Sequence, residues 1–355
     1  MTHVALTIAG SEASGGAGAQ ADIKTFHQLG TFGAAALTCI VSFDPKDDWS
    51  HRFVPLEPQL ILDQIEASTA VHDIDTTKIG MLGTPATIET VAGALAERSF
   101  RNVVLDPVLI CKGNEGGFAQ DTDDALKAKI LPLATFVTPN HFETLALSGM
   151  ESIETVEELA EAAKRIHEAF DVIVLAKGGV VLEGEDAVDV FYDGEQTVEL
   201  RSPKVGQERV NGAGCTLAAA VTAELAKGAT PLEAARTAKA VVTSSIENRQ
   251  KGHTPFDSVY QGKYQGCRVP GPGRRIAASG RVGQSSPGRV TDRAVGRGCG
   301  VVKRGRSAGR RARSGRRSRG RGPADGPGTV TNASRHPVSA PLMWTDVAGG
   351  SILGA

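Results

Sequence analysis

No C-x-x-C pair occurs anywhere in the 355 residues, and the five cysteines (Cys39, Cys111, Cys215, Cys267, Cys299) are odd in number and far apart. That excludes a disulfide framework and a small zinc module. Long apolar runs are missing too: "GAAALTCIV" (33–41) is far below the roughly 20 residues a membrane span needs. The opening "MTHVALTIAG" has no basic leader, so no secretory signal is expected. There is no G-x-x-x-x-G-K-[ST], which removes the P-loop, and no internal repeat. These absences describe a soluble, cytoplasmic protein of a reducing compartment.

Charge is present but unevenly placed. Residues 1–261 carry 20 Lys+Arg against 37 Asp+Glu, a net of −17, whereas residues 262–355 carry 19 against 3, a net of +16. The second segment holds 20 of the chain's 42 glycines and few periodic apolar positions. Such a segment buries too little apolar surface to offset its ordering entropy, so a disordered tail is expected from 262 on. Three readings of it stand open: a nucleic-acid-binding arm, a solvated linker, or the product of a shifted reading frame in a GC-rich gene. The near absence of aromatic residues for base stacking favours the last.

Within 1–261, short apolar runs alternate with helical patterns. Strands are expected at "HVALTIAG" (3–10), "TTKIGML" (76–82), "NVVLDPV" (102–108), "TFVTPN" (135–140) and "DVIVLAKGG" (171–179). The spacing predicts a helix over 154–170, with Thr155 and Glu158 as a capping box. "FYDGEQTVEL" (191–200) reads as a hairpin turning at Asp193-Gly194. The alternation calls for an α/β domain with a mostly parallel sheet flanked by helices. Ligands in such folds bind beyond the carboxyl ends of the strands, where glycine, acid and thiol concentrate here.

Several of those residues have two readings. Gly16 and Gly18 offer a G-x-G-x-x-A pattern, but "SEASG" separates Gly10 from Gly16, too long for the tight turn of a dinucleotide site. A pocket built from this loop and Asp22 is the better reading, a plain surface loop the other. Asn140 and Glu143 in "TPNHFE" either hold hydrated magnesium near phosphates or form a capping box. Asp106 reaches the same rim, for metal or for the loop backbone. Cys215 follows "NGAG" in the first turn of a helix, where free amides favour anions and lower a thiol's pKa; the other fate of a lone cysteine is an inert buried thiol. Cys111, beside Lys112, reads by itself as an incidental loop cysteine.

Together, "LTIAGSEASGGAGAQADIKTF", "KIGMLG", "VVLDPV", "VTPNHFE" and "NGAGCTLAAAVTAELAKG" resemble the ribokinase-like superfamily. More narrowly they look like its branch of bacterial hydroxymethylpyrimidine (phosphate) kinases and pyridoxal kinases. The similarity runs in order over residues 1 to about 255. The pyrimidine kinases typically place a glutamine after the second strand; here "IVSFDPKDDWSH" puts Asp44 there, which is similar to the pyridoxal kinases, as is "DPVLICKGNEGG".

The resemblance implies a three-layer fold, ATP and Mg2+ as cofactors, pyridoxal as the small-molecule substrate and a homodimer, and leaves a monovalent cation open. It implies no membrane, and nucleic acid only through the basic tail. Ser11, Gly18, Asp22, Asp44, His51 and Met81 would line the substrate pocket. Asp106 and Glu143 would organise the metal. Lys112, Asn140, Ala176, Lys177, Gly178, Gly179, Val180, Val188, Val210 and Gly214 would form the nucleotide groove. Gly212, Ala213 and Gly214 would stabilise the transferring group, and Cys215 would stand where sugar kinases of the superfamily hold an aspartate base, as a thiolate. Cys111, on a closing loop, would either add to the pyridoxal aldehyde or order the site with Cys215.

Overall fold

The computed structural model describes residues 2–109 and 117–266. Cys111 and Lys112 lie outside the described residues, as does the basic segment from 267 on.

The chain builds β1 (Val4–Glu12), α1 (Gly18–Gln28), β2 (Phe32–Asp44), β3 (Ser50–Pro55), α2 (Pro58–Val71), β4 (Thr76–Ile79), α3 (Pro85–Ala96), β5 (Asn102–Leu105), α4 (Phe118–Lys129), β6 (Phe136–Val137), α5 (His141–Ser148), α6 (Val156–Phe170), β7 (Ile173–Lys177), β8 (Asp186–Tyr192), β9 (Thr197–Pro203), α7 (Ala213–Ala226) and α8 (Pro231–Glu247). The sheet runs β3-β2-β1-β4-β5-β6-β7-β8-β9. Its centre, β2 through β7, is parallel. β3, β8 and β9 are added antiparallel at the two edges. The strand-and-helix alternation of the sequence becomes the expected three layers. Ile61, Ile88, Leu126, Leu147 and Leu159 bring α2 to α6 onto one face, while Phe26, Leu217 and Val241 bring α1, α7 and α8 onto the other.

Local signals hold where they are strongest. Thr155 accepts from the Glu158 amide, and Glu158 from the Thr155 amide, closing the expected box at the start of α6. Leu159, Ala162, Ala163 and Ile166 then form its buried stripe. α7 is buried from Gly214 through Ala223, as suits a helix apolar on nearly every side.

Four expectations shift. β5 stops at Leu105 because Pro107 supplies no amide to a neighbouring strand, and β6 is curtailed before Pro139 for the same reason. β4 ends at Ile79, and the chain turns away at Gly83, φ +79°. β8 and β9 are joined by four residues rather than by a two-residue turn: Tyr192 faces Thr197, and Asp193 Oδ1 accepts from the amides of Glu195 and Gln196. Packing also continues past residue 261. Gln261 Nε2 donates to Thr216 Oγ1 (2.9 Å), and Gln28 Nε2 to the Tyr264 carbonyl (2.6 Å). The β2–β3 hairpin was not among the strands expected; the chain turns back at Asp44-Pro45, where the amides of Asp47 and Trp49 donate to the Asp44 carbonyl. Among the described residues, no helix is long and apolar enough to cross a membrane.

Candidate active site

The loop after β1 is organised by a residue the sequence did not single out. The buried Glu12 carboxylate accepts from the amides of Ser14 (2.6 Å), Gly16 (3.1 Å) and Ala17 (3.2 Å) and from Ser14 Oγ (2.7 Å). Those amides are therefore occupied, which removes the loop as a diphosphate cradle. Gly18, φ +61°, returns to bridge Ser11 and opens α1. Gly212, φ +80°, meets this loop from the other side: a methyl there would overlap the Gly16 carbonyl oxygen. Having no side chain, Gly212 leaves α7 without a side-chain cap; the Ala213 amide goes to the Val210 carbonyl (3.2 Å), and Ala213 and Gly214 line the groove.

Beneath these loops lies a buried cluster of charge. Asp22 on α1 accepts from Thr7 Oγ1 (2.6 Å) and from Lys78 Nζ (3.0 Å), and neither the Asp22 nor the Lys78 side chain is exposed at all (0%). Asp22, expected to line the substrate pocket, is thus sealed in the interior with no exposed side-chain surface. Burial pushes its carboxyl up, against the pull of Lys78 and Thr7. Burial alone would depress Lys78, but Asp22, Cys215 and Asp106 hold its ammonium above the ordinary value. Asp106, just past β5, takes Lys177 Nζ at 3.2 Å. One oxygen of each aspartate, Asp22 Oδ1 and Asp106 Oδ2, is buried without a hydrogen-bond partner among the described residues.

Cys215 sits in the first turn of α7, within electrostatic reach of Lys78, Asp106 and Asp22, with the Gly18 amide directed at its sulfur. The expected lowering of its pKa is overturned. Burial pushes the thiol up to about 11, outweighing Lys78 and the amide, while the two aspartates push in the same direction as burial. The helix N-terminus is in place, but burial leaves a thiolate poorly solvated.

At the start of α5 the capping reading of Asn140 and Glu143 is realised. Asn140 Oδ1 accepts from the Glu143 amide (3.0 Å) and Glu143 Oε2 from the Asn140 amide (2.7 Å). Glu143 is also buried, and burial raises its carboxyl to about 8 against the pull of Lys177.

Between α5, the β7–β8 connection and α7 lies a groove of about 180 Å³. Asn140, Lys177, Gly178, Gly179, Val180, Val210, Ala213 and Gly214, drawn from four separate stretches of sequence, all line it, with apolar walls from Val205, Leu217, Val242 and Ile246. Two expected members do not. The Ala176 side chain points the opposite way, into the core with Val174. Val188 is buried and shapes the groove only through its carbonyl, which accepts from the Gly178 amide (3.0 Å).

Two of the residues expected around the ring, Asp44 and His51, belong to the β2–β3 hairpin. His51 and Phe43 face each other across the two strands, ring centroids 4.8 Å apart, and Phe256 packs on Phe43 at 4.9 Å. Met81 lies near Gly10, and its carbonyl accepts from Thr38 Oγ1 (2.7 Å). Asp44 is the last residue of β2, not a residue after it. Its carboxylate takes the Lys46 amide and Arg52, which hold its pKa down. Ser11 Oγ accepts from Gln20 Nε2 (2.7 Å).

Sequence reading missed Glu12, Lys78 and the buried Asp189–Lys239 pair (2.9 Å). The signal for Lys78 was a lysine inside a segment read as a central strand of a parallel sheet, a buried placement that calls for an acidic partner.

The comparisons with known proteins agree with this geometry. The phosphomethylpyrimidine kinase family matches residues 12–257. The pyridoxine kinase of Bacillus subtilis (strain 168) is 46% identical over 245 residues, which cover 69% of this chain and 90% of that protein. A crystal structure of an ADP complex of Bacillus subtilis pyridoxal kinase superposes with a TM-score of 0.70 at 43% identity, covering 74% of this chain and 98% of that one. The Staphylococcus aureus pyridoxal kinase in complex with AMP-PCP and pyridoxal superposes at 0.69 with 38% identity, covering 76% and 96%. The chain belongs to the phosphomethylpyrimidine kinase family, with the fold of the ribokinase-like vitamin kinases.

Proposed function

We propose that this protein transfers the γ-phosphoryl group of ATP to the 5′-hydroxyl of pyridoxal, giving pyridoxal 5′-phosphate, and accepts pyridoxine and pyridoxamine in the same way. The observation that carries this is the likeness to pyridoxine and pyridoxal kinases over nearly their whole length, in a chain whose groove ends at the uncapped N-terminus of α7.

In this reading the adenosine lies against Val205, Leu217, Val242 and Ile246, and the phosphates run toward Asn140, Lys177 and Gly214. Lys112, also expected among the nucleotide contacts, lies outside the described residues. Transfer of a phosphoryl group needs little covalent help from the protein; position and charge dominate. The acceptor oxygen forms its bond to phosphorus as the bond to the ADP oxygen breaks, and the α7 amides at Gly212 to Gly214 stabilise the equatorial oxygens. The hydroxyl proton passes to Cys215 Sγ, which must first have lost its own; Lys78 and the helix N-terminus supply the pull toward the thiolate.

The residues present fit a nucleotide-bound magnesium better than a protein cage. Asp106 Oδ2 is buried and unpartnered, yet no group of three His, Cys, Asp or Glu able to hold a metal gathers among the described residues. Asp106 and Glu143 would hold the ion, with phosphate and water supplying the remaining ligands. When bound, magnesium neutralises charge on the triphosphate. Substrate contacts at Ser11, Gly18, Asp44, His51 and Met81, a role for Cys111 on a closing loop, a homodimer and a cytoplasmic location complete the reading. The kinase domain ends near residue 264 in this reading, and the basic tail is dispensable for transfer.

The family description favours a second acceptor, hydroxymethylpyrimidine or its phosphate. ATP-dependent transfer to pyridoxal and hydroxymethylpyrimidine, measured side by side, decides between them. Preference for pyridoxal is expected; preference for the pyrimidine moves the chain to the other branch. A third function, a nucleic-acid-associated ligand sensor, predicts no transfer to either and loss of RNA or DNA retention on truncation after residue 266.

A further inference from the structure

Lys177 and Asp189 stand directly opposite each other in the antiparallel β7–β8 pair. Their side chains share one face of the sheet, because Leu175 and Phe191, two residues away on the same strands, pack with Leu217 of α7. Opposite charges in this position have Cβ atoms about 5 Å apart and ordinarily pair with each other. Here they do not. Lys177 Nζ goes to Asp106 Oδ1 (3.2 Å), while Asp189 Oδ2 takes Lys239 Nζ from α8 (2.9 Å). The four charges form one row, Asp106–Lys177 then Asp189–Lys239, of which Lys177, Asp189 and Lys239 line the nucleotide groove. The second pair is nearly sealed, at 4% exposure for the Asp189 side chain and 9% for Lys239.

A sealed carboxylate beside Lys177 is a competitor for its ammonium. Without a cation of its own, Asp189 would draw Lys177 one strand away from Asp106 and from the phosphate end of the groove, because an unpaired buried charge is the costliest arrangement available. We propose that Lys239 is a positioning residue for nucleotide binding: by holding Asp189 it leaves Lys177 directed at Asp106 and the triphosphate. This rests on the kinase reading above, in which Lys177 faces the phosphates. Lys239 itself need not touch ATP.

The test is ATP–magnesium binding by titration calorimetry on the full chain, read without any acceptor. Lys239→Met should weaken ATP binding by about tenfold or more, the scale of one charged hydrogen bond misdirected, with the KM for pyridoxal moved far less. Adding Asp189→Asn to Lys239→Met removes the competitor and should bring the ATP affinity back to within about threefold of wild type. A merely structural pair would instead lower the melting temperature and leave the affinity of the folded fraction unchanged. Should Lys239→Met fail to fold, the neutral double variant still decides: ATP binding much weaker than wild type there overturns the proposal, since Lys239 would then be acting on the nucleotide directly. Unaltered affinity in folded Lys239→Met overturns it equally. A wild type that binds no ATP sinks the kinase reading and this one together, whereas wild-type binding with either failing variant sinks this one alone.

Discussion

Replacing Lys78 with Met should be among the most damaging single changes in the chain, although Lys78 belongs to no loop and touches no solvent. It leaves Asp22 buried at zero exposure with Thr7 as its remaining partner. Breaking a buried pair by removing one member costs about 3–5 kcal/mol, a large share of the roughly 5–15 kcal/mol that holds a domain together. With a urea slope of about 2–3 kcal/mol per molar, the midpoint should fall by about 1–2.5 M. The loss should also depend on pH, with a definite sign. Asp22's folded-state pKa is already raised by burial, and Lys78 is the largest force lowering it. Taking Lys78 away raises it further. A carboxyl whose folded value lies above its unfolded one contributes stability below the unfolded pKa and loses it as pH climbs through the folded value. Lys78→Met should therefore be relatively more stable at pH 5.5 than at pH 8, by up to about 1.4 kcal/mol per pH unit inside that window. Asp22→Asn added to Lys78→Met should recover at least half the loss and abolish the extra pH slope. Urea titrations at the two pH values measure both effects. A drop under about 1 kcal/mol with no added pH dependence would falsify the claim that this pair is a desolvated, coupled unit.

Three other outcomes are expected. Cys215→Ser should lower kcat by about 10²–10⁴-fold with little change in KM, the usual contribution of a proton acceptor; because burial holds the thiol up to about 11, the wild-type kcat should rise from pH 7 to pH 9, and a flat profile contradicts the assignment. Gly212→Ala forces a side chain into a φ of +80° and against the Gly16 carbonyl, so it should abolish transfer and lower the melting temperature; retained activity would mean that the two loops are not held in this contact. Thr155→Ala removes the cap of α6, far from the groove. It should cost about 0.5–2 kcal/mol in a denaturation curve and leave KM for ATP alone, and any shift in that KM points to a site reaching further than the groove described.

What could be read in advance tracks how local each cause is. The α6 box at Thr155 and Glu158 depends on residues three apart, and the burial of β1, β5 and β7 follows from their apolar runs; these appeared in the places expected, β5 ending early at Leu105. Gly18 and Gly212 were legible as members of glycine motifs, and the structure adds that both take positive φ. The groove was legible residue by residue through its resemblance to known motifs, but Ala176 was misplaced, since alternation along β7 turns it to the opposite face from Lys177. The β2–β3 hairpin escaped because its register is set by pairing across the sheet edge.

Cys215 marks the limit most clearly. Its place at a helix start was plain from "NGAGC", and from that place alone a lowered pKa followed. Burial reversed the direction, and burial is a sum over neighbours the local sequence does not name. By itself the sequence determined the alternation of elements, their caps and turns, and the family, because those follow from short-range periodicity and from motifs in order. Only the tertiary structure decided which charges meet: Asp22 with Lys78 across 56 residues, Asp106 with Lys177 across 71 and Asp189 with Lys239 across 50. Partner choice and proton affinity depend on distance and desolvation, and both exist only once the sheet and helices have closed over these groups.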